Sequence, residues 1–348
     1  FVGERTIEVT GQDGSTRVVR GTRVYINTGS HTTVPPIPGL DTVDYLTSTS
    51  VMELDELPNR LAIIGGGYIA LEFAQSFRRL GSEVVVVQRG DRFLPNEDPG
   101  IAGEIRNVLV HDGIEFLDNA ETDAVQPGPH GIEVLYSRGG EQESLHCSHL
   151  MVAVGRTPNT AGLGLDAAGV QLNPRGAITV NDRLETTAQD VYAIGDCNGG
   201  PLFTHASWDD YRILLANVLH DAGRSTAGRL IPYTLFIDPE LGRVGLTEEQ
   251  ARAQGHDIAV ATLPAAKIPR ANTAGTPCAI SAAWISFASL LLSTSTAMSD
   301  GRTRRPTCSE AVSPAALAGR CPSASNARTR ATRSAATISA SAVASAMT

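Results

Sequence analysis

An α/β fold built on a doubly wound parallel sheet is predicted for this chain of 348 residues by three observations. Residues 61–64 (LAII) form a short apolar run stopped by Gly65-Gly66-Gly67. Apolar side chains then recur at Ile69, Leu71, Phe73, Ala74, Phe77 and Leu80, the period of an amphipathic helix. Val84 to Val87 follow as four valines in a row, the mark of a strand buried on both faces of a parallel sheet. Strand, helix and strand in that order make a βαβ unit, and its repetition makes a doubly wound domain.

The elements can be taken in order. Segments 6–10 and 17–28 alternate apolar and polar around Gly11-Gln12-Asp13-Gly14, which reads as a hairpin. Val34-Pro35-Pro36-Ile37-Pro38-Gly39 forces an extended crossing into the next domain. Then come strand 61–64, helix Tyr68 to Leu80, strand Val84 to Val87, helix Asp98 to His111 and strand Ile114 to Leu117. Further strand-like runs lead to Met151-Val152-Ala153-Val154. Residues 155–230 show turns, one strand at Val191 to Ile194, and an amphipathic helix from about Ala206 to His220. A third, mixed unit opens at 231, with strand Tyr233 to Ile237 and a capping-type helix start at Thr247-Glu248-Glu249-Gln250.

Beyond Cys278 the text changes character. No Lys follows Lys267, no Tyr follows Tyr233, and Ser, Ala, Thr and Arg dominate. Too few large apolar side chains recur there to form a core. A natural disordered tail and GC-rich DNA read in a shifted frame would both produce such text. The expected divisions are therefore 1–47, 48–150, 151–230, 231–277 and a tail at 278–348.

Composition narrows the function classes. The chain is 42% hydrophobic and 19% charged, with a net charge of −9. That balance argues against nucleic acid or an anionic membrane as partner. No stretch reaches the roughly 18 apolar residues of a membrane span; the nearest, 279–292, is broken by Ser281, Ser286 and Ser289. The five cysteines (147, 197, 278, 308 and 321) form no close pair, so neither a zinc site nor a CxxC redox motif is written. No metal site is expected, and the expected location is cytoplasmic.

The strongest chemical signal is Gly65-x-Gly67-x-x-Ala70, which follows a strand and opens a helix, as a dinucleotide fingerprint requires. Gly65 permits the tight turn, Gly67 lets the backbone approach a pyrophosphate, and Ala70 allows close helix–strand packing. The helix N-terminus offers free N–H groups to the phosphates. An acid at the end of the second strand would bond the ribose hydroxyls of NAD. Gln88 stands there instead, with Arg89 and Arg92 after it, and arginines attract a 2′-phosphate. NADP is favoured, with NAD possible because Asp91 lies between them. A second signal is Val191-Tyr192-Ala193-Ile194-Gly195-Asp196, a strand that delivers a carboxylate to its C-terminal edge, where α/β ligands bind.

Four blocks in this order resemble the class I pyridine nucleotide-disulfide oxidoreductases, the family of glutathione, lipoamide and mercuric reductases. They are Ile26-Asn27-Thr28-Gly29-Ser30 with the proline-rich crossing, GGGYIALE (65–72), AVGRTPNT (153–160) and VYAIGD (191–196). PLFTHAS, WDDYRI and Lys267-Ile268-Pro269-Arg270-Ala271 are most similar to the mercuric-reductase-like branch. The resemblance implies a Rossmann-like NAD(P)-binding domain (48–150) inserted in a partial FAD-binding domain (1–47 and 151–230), followed by the start of an α+β dimerisation domain. It implies that Tyr68 is an aromatic lid over the nicotinamide pocket and that Glu72 lies near the carboxamide. It places Arg156 near the dinucleotide, and Gly195-Asp196 on the FAD ribityl chain. Phe203, Thr204 and His205 would lie at the flavin pyrimidine edge, with His205 structural rather than catalytic. Hydride would pass from NADPH to FAD and on to a disulfide or metal-ion acceptor, in a homodimer.

The sequence also departs from that pattern. The family's FAD fingerprint and redox cysteine pair precede the hairpin with which this chain opens, and its closing His-Pro segment with a glutamate partner is not found. An inactive fragment of such an oxidoreductase is therefore expected. A non-catalytic NAD(P)H-binding module, or a flavin reductase or oxidase needing no dithiol, would share the same motifs.

Overall fold

The computed structural model describes residues 1–129 and 131–263. The expectations for residues 267–271, for Cys278, Cys308 and Cys321 and for the 278–348 tail lie outside the described residues.

The alternating N-terminal segment forms a hairpin, β1 (Thr6–Thr10) against β2 (Thr16–Arg20), with Thr6 opposite Arg20 and Thr10 opposite Thr16. The second strand does not run on to residue 28 as its alternation suggested. It ends at Arg20, and a separate strand, β3 (Val24–Ile26), buries Val24 and Ile26 in a different sheet. Two ends with different pairing partners cannot share one pleat, so the chain turns between them. Two more short strands, β4 (Ser30–Thr32) and β5 (Tyr45–Leu46), flank the proline-rich crossing.

The βαβ series forms as its periodicity predicts. β6 (Arg60–Ile64) leads into α1 (Tyr68–Leu80), β7 (Glu83–Gln88), α2 (Pro99–His111) and β8 (Glu115–Asp118). Helix α1 stops at Gly81, a left-handed C-cap whose N–H bonds the Phe77 and Arg78 carbonyls, satisfying two of the orphan acceptors at a helix end. Asp98 sits just outside α2 as its N-cap, with Pro99 in the first turn, where a missing N–H costs nothing.

An antiparallel meander follows, β9 (Ala120–Gly128), β10 (Gly131–Arg138) and β11 (Glu141–Cys147), before β12 (His149–Val152) returns to the main sheet. That sheet has five parallel strands in the order β5-β12-β6-β7-β8. Its side chains alternate between two cores. Leu61, Ile63, Val84 and Val86 face α1 and α2, against Ala70, Leu71, Ala74, Ile105 and Leu109. Ala62, Ile64, Val85 and Val87 face the meander, against Val125, Ile132, Val134, Tyr136 and Leu145. The valine run is thus buried on both faces because one face carries helices and the other a second sheet. Each such valine contributes about 1.5–3 kcal/mol on burial.

The remaining described elements surround this sheet. β13 (Arg156–Pro158) pairs antiparallel with β4, and β14 (Val191–Ala193) pairs parallel with β3. The pairing with β4 was not visible in the sequence, which showed only one strand between 155 and 230. Helix α3 (Thr204–His220) begins two residues earlier than its apolar spacing indicated. β15 (Tyr233–Leu235), β16 (Leu241–Arg243) and α4 (Glu248–Ala253) open the third unit. In α4 both halves of the capping box form, Thr247 with the Gln250 N–H and Gln250 with the Thr247 N–H. Leu235, Ile237 and Leu241 join the core beneath α1. Among the described residues no helix is long and apolar enough to cross a membrane.

Candidate dinucleotide site

β6 and β12 are parallel neighbours; from β6 the chain passes through α1 to β7, and from β12 it goes on to β13 in another sheet. Open α/β sheets take ligands in the crevice outside the carboxyl ends of their strands. Gly65 has φ +112°, and a β-carbon on it would stand 2.4 Å from the Ala153 carbonyl oxygen. At the next turn of backbone the surroundings open. Gly67 is exposed, has φ −81°, and nothing lies within 4 Å of the position its β-carbon would take. It is the N-cap of α1 and carries no side-chain cap, so the helix presents its first N–H groups outward. Ala70 is fully buried against the core below.

Gln88 ends β7 beneath this turn. Its Nε2 donates to the carbonyls of Arg92 (2.9 Å) and Gly90 (3.3 Å). Its Oε1 is buried without a hydrogen-bond partner and lies 2.0 Å from where a β-carbon on Gly66 would be. A buried acceptor left unpaired costs about 1–3 kcal/mol, and this one faces the fingerprint turn. Arg89 is exposed. Arg92 is exposed too and pairs at 3.6 Å with Glu249, a surface pair worth about 0–1 kcal/mol.

Tyr68, the first residue of α1, donates its phenol O–H to Glu97. Glu97 is a buried carboxylate, 4% exposed, that also accepts from Tyr233 (2.5 Å) and Arg243 (3.2 Å). The two phenol oxygens are 3.1 Å apart, and Arg243 donates to that of Tyr233 at 2.7 Å. Burial, then the bond to Glu97, pushes both phenols above their ordinary pKa. Glu72, one turn further along α1, accepts the Phe236 N–H at 2.9 Å. Burial raises its carboxyl pKa, against that N–H. Glu97, Tyr233 and Arg243 were not singled out from the sequence. A lone glutamate in a loop and an arginine in a short strand carry no periodic signal, and only the tertiary fold makes them neighbours.

The second site lies at the end of β14. Asp196 Oδ2 accepts from Ser30 Oγ at 2.5 Å, and Arg156 donates to Ser30 Oγ (2.7 Å) and to its carbonyl (2.8 Å). Arg156 and Asp196 are 3.9 Å apart, and the Asp196 side chain keeps 24% of its surface. A partly exposed carboxylate just past a strand's C-terminal end fits the hydroxyls of a polyol. The turn behind it is anchored by buried Asp210, which accepts the Gly195 N–H (2.9 Å) and an Asn198 N–H (3.1 Å) and pairs with Arg229 (2.6 Å). Phe203 is the N-cap of α3, and no side chain caps that helix either. Thr204 and His205 are exposed, and the His205 ring stacks on Phe203 at 5.4 Å. Phe203 in turn stacks on Tyr233 at 5.1 Å and 12°.

Cys147 and Cys197 are the cysteines among the described residues, 3% and 0% exposed. Each turns its thiol onto backbone carbonyls. Burial pushes Cys147 up to about 11 and raises Cys197 as well. Thiolate is the nucleophilic form, so neither is set up for exchange.

A parallel sheet with a glycine turn at one strand end and a carboxylate just past another, followed by helices without side-chain caps, defines an α/β protein. The family model described as pyridine nucleotide-disulphide oxidoreductase matches residues 1–210, and that of the family's dimerisation domain matches 231–281. The chain belongs to the pyridine nucleotide-disulphide oxidoreductase family. It is 42% identical over 274 residues to the probable pyridine nucleotide-disulfide oxidoreductase RclA of Escherichia coli, covering 78% of this chain and 61% of that protein. It is 37% identical to the mercuric reductase of Bacillus cereus, covering 78% of this chain and 42% of that one. A solved structure of the HOCl-induced flavoprotein disulfide reductase RclA from E. coli matches with a TM-score of 0.71 at 41% identity, over 78% of this chain and 61% of that one. LpdA from Mycobacterium tuberculosis matches with a TM-score of 0.68 at 29% identity, over 76% and 57%. The chain thus spans about two-fifths to three-fifths of the length of these relatives.

Proposed function

We propose that this chain takes NAD(P)H on the β6–α1 turn and presents its nicotinamide end toward a flavin held at the β14–α3 edge. It would thereby serve as the nucleotide-handling part of an FAD-dependent NAD(P)H oxidoreductase. One observation carries the reading: Gly65 is packed against Ala153 while Gly67, two residues on, faces open space at an uncapped helix start. A helix N-terminus of that kind accepts a pyrophosphate, and Ala70 keeps α1 close to the sheet. Arg89 and Arg92, both exposed just past β7, would meet a 2′-phosphate, which favours NADPH over NADH.

Tyr68 and Glu72 lie on the α1 face that the nicotinamide end would meet. Asp196, held by Ser30 and Arg156, would bond the ribityl hydroxyls, and the Gly195 turn sets its direction. Phe203, Thr204 and His205 would line the pyrimidine edge, where the positive end of α3 favours negative charge. The bound flavin would supply the two-electron chemistry, and the protein its position and polarity.

The acceptor in this proposal is a disulfide or a metal ion, the substrates that the relatives' names print, and the working form is a homodimer in the cytoplasm. Cys147 and Cys197, buried on carbonyls, take no part in that transfer. Their inertness also favours the alternative of a non-catalytic NAD(P)H-binding module. Titration of the full chain with NADPH and NADH, followed by nucleotide fluorescence and then repeated with added FAD, tests both. Saturable NADPH binding with a retained flavin that NADPH bleaches supports the oxidoreductase. Binding without flavin retention supports the module, and no nucleotide binding overturns both.

A further inference from the structure

The parallel strands β3 and β14 point their C-terminal ends at Asp196, and charge collects at their other ends. Arg23 and Asp190 directly precede the two strands, which pair with Val24 opposite Val191. Together with Arg5, Arg20, Gly21 and Thr22 they line an open cleft of about 790 Å³, a size that suits a small molecule. The length of β14, about 10 Å of strand, separates this cleft from the Asp196 end. The cleft is basic in a chain of net charge −9. Its acid, Asp190, pairs with Arg5 at 2.6 Å. Arg20 and Arg23 are exposed and make no ion pair among the described residues. Two guanidiniums at one mouth repel each other, and an anion between them removes that cost. The framework behind them is fixed. The Gly21 N–H donates to the Arg5 carbonyl (3.1 Å) and the Val24 N–H to the Asp190 carbonyl (3.0 Å). Arg5 and Asp190 hold φ +49° and +59°, a region that side chains take where their surroundings enforce it. A β-carbon on Gly21 would stand 2.7 Å from the Arg23 carbonyl oxygen, so the turn that brings Arg20 and Arg23 to one cleft closes only with glycine.

We propose that this cleft binds a di- or triphosphate group through Arg20 and Arg23, with Arg5 anchored beside them by Asp190. A guanidinium fork matches two phosphate oxygens. Two free forks on either side of the Gly21-Thr22 turn therefore call for several anionic oxygens on one short ligand, more than a carboxylate carries. The group can arrive free or on a nucleoside, and the neighbouring rings bear on which. Two residues further along each strand, Tyr25 and Tyr192 stack at 5.4 Å and 24°, and Tyr25 is 45% exposed. That open ring offers a base a surface next to the phosphates. The proposal stands on these residues and is independent of the nucleotide reading of the β6–α1 turn.

The test is calorimetric titration of the full chain with inorganic tripolyphosphate, and in parallel with ATP, in wild type, Arg20→Gln, Arg23→Gln and Arg17→Gln. Arg20 and Arg23 are exposed and unpaired, so their variants keep the fold. Arg17 is exposed on the same hairpin, opposite Val9 and outside the cleft, so its variant removes the same charge without touching the site. Wild type is expected to bind tripolyphosphate saturably, and Arg20→Gln and Arg23→Gln each to weaken it about tenfold, the value of one charge-assisted contact. Arg17→Gln should stay within about twofold, as a screened surface charge does. Equal affinities for ATP and tripolyphosphate assign the cleft to phosphate alone. Tighter binding of ATP that Tyr25→Ala abolishes assigns it to a nucleoside phosphate. Equal losses in all three arginine variants would mean a general attraction to the hairpin and overturn the site. Absence of saturable binding overturns it too, as does binding that Gly67→Ala removes and the Arg20 and Arg23 variants leave intact.

Discussion

Gly65 and Ala153 meet just past the C-terminal ends of β6 and β12, and a β-carbon on residue 65 would stand 2.4 Å from the Ala153 carbonyl oxygen. The fingerprint turn is thus a packing constraint at its first glycine and an open surface at its third. Gly65→Ala forces both a clash and a side chain at φ +112°, and should cost at least about 2 kcal/mol of stability. Gly67→Ala should melt like wild type yet weaken NADPH binding about tenfold or more, as a methyl occupies the space over the helix start. Thermal melts paired with nucleotide titration separate the two.

Arg89 and Arg92 bear on nucleotide choice. Among the described residues the charged partner of the Arg92 side chain is Glu249, in an exposed pair that a phosphate can outcompete. Replacing both arginines with alanine should weaken NADPH binding roughly tenfold, the value of a charge-assisted contact, and leave NADH binding within about twofold. An equal loss for both nucleotides would assign the arginines to the surface instead.

Arg229 supports the second site at a distance. Its guanidinium meets Asp210 at 2.6 Å, and Asp210 is 2% exposed. Arg229→Ala leaves that charge buried with two N–H donors but no counter-ion, and should destabilise the fold by about 3 kcal/mol. Flavin retention should fall with it, because Asp210 also fixes the Gly195 N–H beside Asp196. Urea melts with and without added FAD measure both effects.

Glu72 gives a pH signature. Burial raises its carboxyl pKa, partly offset by the Phe236 N–H, so the folded state holds the proton more tightly than the unfolded chain. That contribution to stability is complete below the unfolded value, about 4.3, and is lost as pH rises through the folded one. Glu72→Gln removes this slope. Its stability relative to wild type should therefore increase from acid toward neutral pH in a series of denaturant melts, and a constant difference would contradict the assignment.

Cys147 and Cys197 should resist thiol reagents in the folded state. With Cys147 pushed up to about 11 and Cys197 also raised, little thiolate forms at mildly alkaline pH. Alkylation under native conditions followed by peptide mapping should find both unmodified, and both modified after unfolding in denaturant.

Much of this was legible in the residues. The spacing of Ile69, Leu71, Phe73, Ala74, Phe77 and Leu80 marked α1 to its observed ends, because helix phase is local. The four valines marked β7 as buried on both faces. Thr247 and Gln250 announced α4, since a capping box needs only four residues. The glycine fingerprint located the β6–α1 turn, because strand, turn and helix are consecutive. The strand run 17–28 misled because alternation says that a segment is extended and not which partner it pairs with.

The sequence by itself determined where α1, α2 and the buried strand β7 lie and where the glycine turn between β6 and α1 falls, because those follow from side-chain periodicity and from glycine within one short segment. Only the tertiary structure decided that β12 returns beside β6, that Ser30 and Arg156 support Asp196, and that Glu97 binds Tyr233 across 136 residues of chain. Those contacts join segments with no common period, so their partners are chosen by the packing of the whole domain and leave no mark on the residues nearby.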